Sequence, residues 1–275
     1  MIFDTHSHYD HPRFSEDRKA LLSALPGAGI GGLVNIGATL KGTEASLALA
    51  ERWPFIWAAA GVHPDDVQEL ETLGEKEAGE RLEAYLAHPR CVAVGEIGLD
   101  YHGEDIYDNK TTRPLQKKWF DFQLTLMKET GKPGVIHSRE AAADTLDMLR
   151  GAGGNNLALV HHCFGYEKEM ARIYLDMGHF LGIGGVVSYK NGRKLKEVVQ
   201  YMPLERILLE TDCPYLAPEP FRGKRNDSRM LTKVVAEIAR LKGLDEETVE
   251  QVTFENARRF YRLGPEEMIR GTLPG

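Results

Sequence analysis

What this chain has little of narrows it first. Its three cysteines, Cys91, Cys163 and Cys213, lie far apart and form no CxxC pair. That argues against a disulfide framework or a thiolate metal knuckle and reads as buried thiols in a reducing compartment. No apolar run is long enough to cross a bilayer, and the opening MIFDTHSH carries charge and imidazole by residue 8, so neither a signal peptide nor a membrane span is drawn there. Cytoplasmic residence without membrane association is the expectation. Positive charge is scarce: 34 Lys and Arg against 41 Asp and Glu leave a formal charge of −7, which disfavours a surface that wraps long duplex by bulk phosphate attraction. Chemistry on a single phosphodiester survives that argument, because bound divalent cations supply positive potential locally. P-loop, dinucleotide fingerprint and zinc-finger spacing are all missing.

What is present is a repeat of short apolar runs and helical stretches. The runs are Ile2–Thr5, Gly32–Ile36, Ile56–Ala60, Cys91–Gly95, Gly134–Ile136, Leu157–Val160, His179–Ile183 and Arg206–Leu209. Several lack strict alternation, as parallel strands covered on both faces do. Helical spacing falls between them at Phe14–Leu25, Gly42–Arg52, Asp66–Ala87, Thr112–Thr130, Arg139–Leu149, Glu167–Met177, Lys194–Tyr201 and Ser228–Leu241, with a last helix at Asp245–Phe260. Within Thr112–Thr130, Leu115, Trp119, Phe122 and Leu126 make one stripe, and Pro114 is tolerated near the start. Eight such units with no linker predict an α/β fold, a (β/α)8 TIM barrel forming a single domain over residues 1–275. An open doubly wound sheet has the same repeat and is the alternative.

A barrel of this kind places reactive groups just past its C-terminal strand ends, and polar residues recur there. His6 and His8, two apart on an extended segment, project to one side and can reach one ion, with Asp4 as a support. His63 follows the third strand, and Glu96 ends the fourth within VAVGEIGLDY. A carboxylate there is expensive to bury unless it is paired or metal-bound, and its two oxygens suit a bridge between ions. His137 ends the fifth strand. His161 and His162 follow the sixth, and as neighbours they face opposite ways, so at most one meets the site and spacing leaves open which. Asp212, after ERILLET, is the candidate to touch a metal and accept the proton of an attacking water, with Glu210 as the other acid in reach. Imidazoles with carboxylates match Zn, Mn or Mg, and five ligand candidates exceed one tetrahedral site, so two divalent ions are expected. Arg139, Arg222 and Arg225 fall in rim loops, where a guanidinium fork matches phosphate oxygens.

Taken in order, HxH, GEIGLDY, IHSREA, HHCFG and LLETDCPYL resemble the TatD family of metal-dependent deoxyribonucleases, within the amidohydrolase-like TIM barrels. The likeness runs from FDTHSH to TFENARRFY, nearly the whole chain. It implies one metal on His6, His8 and Asp212, a second on His137 and His162, and Glu96 bridging both. It also implies that His63 lies near substrate phosphate and that RGKRND, Arg222 to Asp227, is the loop before the eighth helix. Two departures put the local loop shape in question: Gly165 and Tyr166 follow Phe164 where the family continues HCFSG, and Asp227 and Ser228 stand where Pro is common.

The resulting expectation is a hydrolase that cleaves DNA phosphodiesters, as a 3'-5' exonuclease on single strands or duplex ends, with RNA as a second substrate and no obligate protein partner. Asp212 and Glu96 are the expected catalytic residues; His63, Arg139, Arg222 and Arg225 are the expected substrate contacts. A carbonyl-directed amidohydrolase or lactonase would use the same ions, and a non-catalytic barrel is the remaining alternative.

Overall fold

The computed structural model describes residues 1–102 and 112–264; the parts of the expected domain at 103–111 and 265–275 lie outside the described residues. Eight strands, β1 (Ile2–Ser7), β2 (Ile30–Ile36), β3 (Ile56–Ala60), β4 (Cys91–Asp100), β5 (Gly134–Arg139), β6 (Leu159–His161), β7 (Phe180–Ile183) and β8 (Ile207–Leu209), pair in sequence order, all parallel. Pairing each strand with the next leaves one seam. It is drawn together where β1 meets the residues after β8: Ser7 bridges Cys213, the Asp212 N–H donates to His6 O, and the His8 N–H donates to Cys213 O, both at 2.9 Å. The architecture is therefore a nearly closed (β/α)8 barrel rather than an open sheet.

Around the ring lie α1 (Arg18–Ala24), α2 (Leu40–Arg52), α3 (Gln68–Leu73), α4 (Glu75–Leu86), α5 (Arg113–Thr130), α6 (Ala142–Gly151), α7 (Lys168–Asp176), α8 (Arg193–Tyr201), α9 (Leu231–Lys242) and α10 (Glu246–Tyr261). Phe3, Val34, Trp57, Ala93, Val135, Val160, Phe180 and Leu208, one from each strand, share a buried cluster with Ala257, Phe260 and Tyr261 of α10. That cluster is the barrel interior, and α10 closes it from the end opposite the strands' C-termini. The Tyr261 hydroxyl fastens the closure by donating to Thr5 O at 2.8 Å.

Several boundaries differ from expectation for local reasons. The helix expected over Asp66–Ala87 is two helices, because Gly74 takes a left-handed backbone (φ 78°) and its N–H caps α3 on Leu70 O. The helix expected from Phe14 begins only at Arg18, since Pro12 opens a separate turn at Pro12–Phe14. β4 runs on to Asp100 and β5 to Arg139, so Glu96 and His137 sit within strands rather than just past them.

Candidate metal centre

Barrel geometry alone would not aim every site residue inward. Strand side chains alternate, and Phe3 and Ala93 face the interior, so residues three further on should face out. Both β1 and β4 carry a register irregularity in that interval, between Asp4 and Ser7 and between Val94 and Ile97, which resets the alternation and turns His6 and Glu96 to the axis. On β5 and β6 plain alternation suffices: Val135 and Val160 face inward, and so do His137 and His162 two positions later.

Glu96 is the hub. Its Oε2 lies 3.3 Å from His6 Nε2 and 3.9 Å from His8 Nε2, while its Oε1 lies 2.7 Å from His137 Nδ1 and 3.4 Å from His162 Nε2. Asp212 joins the first group, its Oδ1 being 3.4 Å from His8 Nε2 and 3.8 Å from His6 Nε2. His63 stands over His137 edge-on and brings its Nε2 to 3.8 Å from Glu96 Oε1. Burial alone would raise the Glu96 carboxyl, yet the surrounding imidazoles of His162, His6 and His137 hold it well below the usual range. Burial likewise opposes charge on His8 and His137, but Asp212 raises the first to about 9, and Asp100 with Glu96 raises the second to about 10. Burial, aided by the His137 charge, pushes His63 down to about 3.

The donor set fits divalent cations. Among the described residues, three groups bring ligand atoms within 4.8 Å of one another: His6, His8 and Asp212; His6, Glu96 and His162; His63, Asp100 and His137. His6 Nε2 and His8 Nε2 converge to 3.1 Å. His8 Nδ1 donates to Ile36 O at 3.1 Å, which leaves the Nε2 lone pair for the site. His162 Nδ1, buried and without a hydrogen bond, lies 3.4 Å from Glu210 Oε1, the usual arrangement of a carboxylate behind a metal-binding imidazole.

His161 has a different place. It stacks on Tyr174 of α7 with centroids 3.5 Å apart and pairs with His179 at 3.0 Å, outside the barrel. Asp4 supports the seam rather than an imidazole: its carboxylate accepts from Thr211 N, Thr211 Oγ1, Ser228 Oγ and the His6 backbone N–H. Glu210 does not join the ligand groups. Besides facing His162, it accepts the Cys163 N–H at 2.5 Å.

Two pockets open on the centre and share His137, His162, Asp212 and Tyr215. One, of 350 Å³, includes His63, Asp10, Asp65 and Asp66; the other, of 720 Å³, includes Arg139 and Tyr166. Thus His63 and Arg139 reach the mouth. Arg222 and Arg225 line neither pocket: Arg222 lies over the Tyr189 ring at 4.4 Å, and Arg225 grips Asp17 through both guanidinium nitrogens at 2.8 and 2.6 Å. The residue the sequence reading missed is Asp100, whose Oδ2 is 2.9 Å from His137 Nε2. Its signal was the alternation Glu96, Gly98, Asp100, which puts both acids on one face of β4.

A parallel barrel with carboxylates and imidazoles gathered at its C-terminal mouth defines the metal-dependent hydrolase class. The family model described as TatD related DNase matches residues 3–262, so the chain belongs to the TatD family. Relatives cover nearly all of it. It is 35% identical over 263 residues to the "uncharacterized metal-dependent hydrolase YabD" of Bacillus subtilis (strain 168), covering 96% of this chain and 100% of that one. It is also 35% identical over 257 residues to the "3'-5' ssDNA/RNA exonuclease TatD" of Edwardsiella piscicida, covering 91% and 95% respectively. The crystal structure of the TatD homologue YJJV from Escherichia coli superposes with a TM-score of 0.86 at 29% identity, covering 96% of this chain and 98% of that one. Among the described residues, no helix is long and apolar enough to cross a membrane.

Proposed function

We propose that this protein is a phosphodiesterase that holds two divalent cations and trims DNA from a 3' end, preferring single strands or duplex ends, with RNA as a second substrate. The observation that carries the reading is the division of Glu96, one oxygen toward His6 and His8 and the other toward His137 and His162. His6, His8 and Asp212 would hold one cation, His137 and His162 the other, and Glu96 both. Imidazole-rich donors favour Zn or Mn over Mg. Bound there, the cations would activate a water and stabilise charge on the phosphoryl oxygens.

The chain's own groups supply the rest. Asp212, held below the ordinary carboxylate range by His8, His162 and His6 against the opposing effect of burial, stays ionised and can accept the proton of the attacking water through Oδ1. His63, neutral at pH 7, can donate a hydrogen bond to a phosphate oxygen without repelling a cation. Arg139 at the end of β5 offers the fork for a neighbouring phosphate. The exonuclease name of the Edwardsiella relative supports the choice of nucleic acid and of direction. The test is side-by-side incubation of wild type and Glu96→Ala with 5'-labelled single-stranded DNA, duplex DNA, RNA and a lactone panel, with Mn, Zn or Mg added. A ladder shortening from the 3' end in wild type alone is the expected result; hydrolysis confined to the lactones would overturn it.

A further inference from the structure

The larger of the two pockets has no part in holding cations beyond the residues it shares with the smaller one, and its character is different. Tyr166, Val186 and Leu216 give it an apolar wall. Tyr215, which lines both pockets, is 46% exposed, one of four large hydrophobic side chains among the described residues left so open. Its ring meets that of His11 edge-on at 5.6 Å and otherwise leaves an aromatic face open beside the centre. The pocket also gathers backbone strain. Of the five non-glycine residues with positive φ among those described, Glu140 (54°), Cys163 (46°), Asp212 (55°) and Leu216 (53°) all line it. Left-handed backbone at residues other than glycine persists where the fold enforces it, and it concentrates at ligand clamps and active sites.

We propose that this pocket is a nucleobase site: it takes the base of a nucleotide adjoining the scissile phosphate, with Tyr215 as the stacking platform, Tyr166 as the opposite wall and Arg139 at the rim pairing with that nucleotide's phosphate. The proposal rests on the phosphodiesterase reading and extends it from the bond cleaved to the group recognised. Three observations select a base as the occupant. The pocket borders Asp212 and His162 directly, so its contents are contiguous with the centre. At 720 Å³ it has room for a nucleoside. It carries an arginine, Arg139, beside Glu140, whereas the smaller pocket, with Asp10, Asp65 and Asp66, has none to pair with the nucleotide's phosphate. The ring of Tyr166 is fixed for the task, its hydroxyl meeting Ser138 Oγ at 2.9 Å and the Ala141 N–H at 3.3 Å. Tyr215 is steadied through its hydroxyl at 3.1 Å from His11 Nε2. Stacking on a ring tolerates any base, so recognition should be of base against no base rather than of sequence.

The test uses the full chain stripped of cations with chelator, and a fluorescein-labelled oligothymidylate beside an abasic oligomer of equal length and equal phosphate count. Fluorescence anisotropy should show the abasic strand binding about tenfold more weakly, the loss of one base-aromatic stack. Tyr215→Ala should weaken the thymidylate by a similar factor and leave the abasic strand unchanged; Tyr215→Phe should restore the wild-type value. If Tyr215→Ala weakens both strands equally, or neither, there is no base site at this ring. Cation-loaded cleavage separates the two readings. Equal rates on abasic and base-bearing ends would overturn the base site and leave the phosphodiesterase standing, while binding without any cleavage that Glu96→Ala abolishes would overturn the phosphodiesterase and leave the base site.

Discussion

The imidazole of His6 lies flat against that of His162, with centroids 3.6 Å apart and planes inclined by 17°. Two imidazolium ions in such a stack would repel. Burial and the neighbouring His162 lower His6, while Glu96 and Glu210 raise His162 against the opposing effect of burial. One ring therefore carries a proton more readily than the other, and the pair depends on Glu96 for its balance.

Removing Glu96 should accordingly damage both halves of the centre at once. Loss of a partner behind a metal ligand typically lowers affinity or activity 10–100-fold, so Glu96→Ala should lose at least about a hundredfold in turnover. Steady-state cleavage of a labelled oligonucleotide measures it, and activity within a few-fold of wild type would place the chemistry elsewhere.

Added cation should stabilise the fold by mass action, about 2.7 kcal/mol at a hundred times its dissociation constant. Thermal melts with and without Mn or Zn read this as a rise in Tm. His162→Ala should shrink the rise, whereas His161→Phe, whose site faces α7, should keep it. The reverse pattern would reassign the ligand.

Acidification should destabilise the protein through His161. The His179 Nε2–H donates to Gly154 O and its Nδ1 accepts from His161 Nε2, leaving His161 Nδ1 buried and without a hydrogen bond. Burial, with the neighbouring His179, holds His161 well below its ordinary value of 6.5. The unfolded chain thus binds the proton that the folded one refuses, so this contribution to stability is intact above about pH 6.5 and is lost as pH falls below it. Denaturant midpoints between pH 7.5 and 5.5 should decline less steeply in His161→Phe than in wild type; parallel slopes would remove His161 from the account.

Arg225, expected to touch substrate, should instead act on Asp17. Its two hydrogen bonds depress that carboxyl below 3.8. Arg225→Ala should return the Asp17 titration, followed by NMR, toward its ordinary value while leaving oligonucleotide cleavage unchanged. A fall in cleavage with unaltered titration would restore the substrate role.

The repeat of eight strands and the residues at their ends could be read from pattern, because a barrel buries its strands on both faces and exposes its chemistry at one rim. Local punctuation was harder: Gly74 breaks a helix whose apolar spacing continues across it. Side-chain direction divided cleanly. Spacing left His161 and His162 open, and only the inward face of Val160 shows that His162, two positions on, points to the axis; His6 and Glu96 lie three past interior residues and reach the axis only through irregularities in β1 and β4, which leave no trace in hydrophobic alternation. For Arg222 and Arg225 the sequence offered only a rim loop, which holds cations for both substrate and structure, and it did not reveal the partners Tyr189 and Asp17 that the two side chains take up.

The seam has a consequence for assembly. His6 belongs to β1 with His8 just past its end, Asp212 follows some two hundred residues later, and the backbone bonds that unite them, Asp212 to His6 and His8 to Cys213, are the same bonds that draw β1 to the residues after β8. No fragment ending before β8 can present this trio, so a nascent chain gathers it only when the ring is complete.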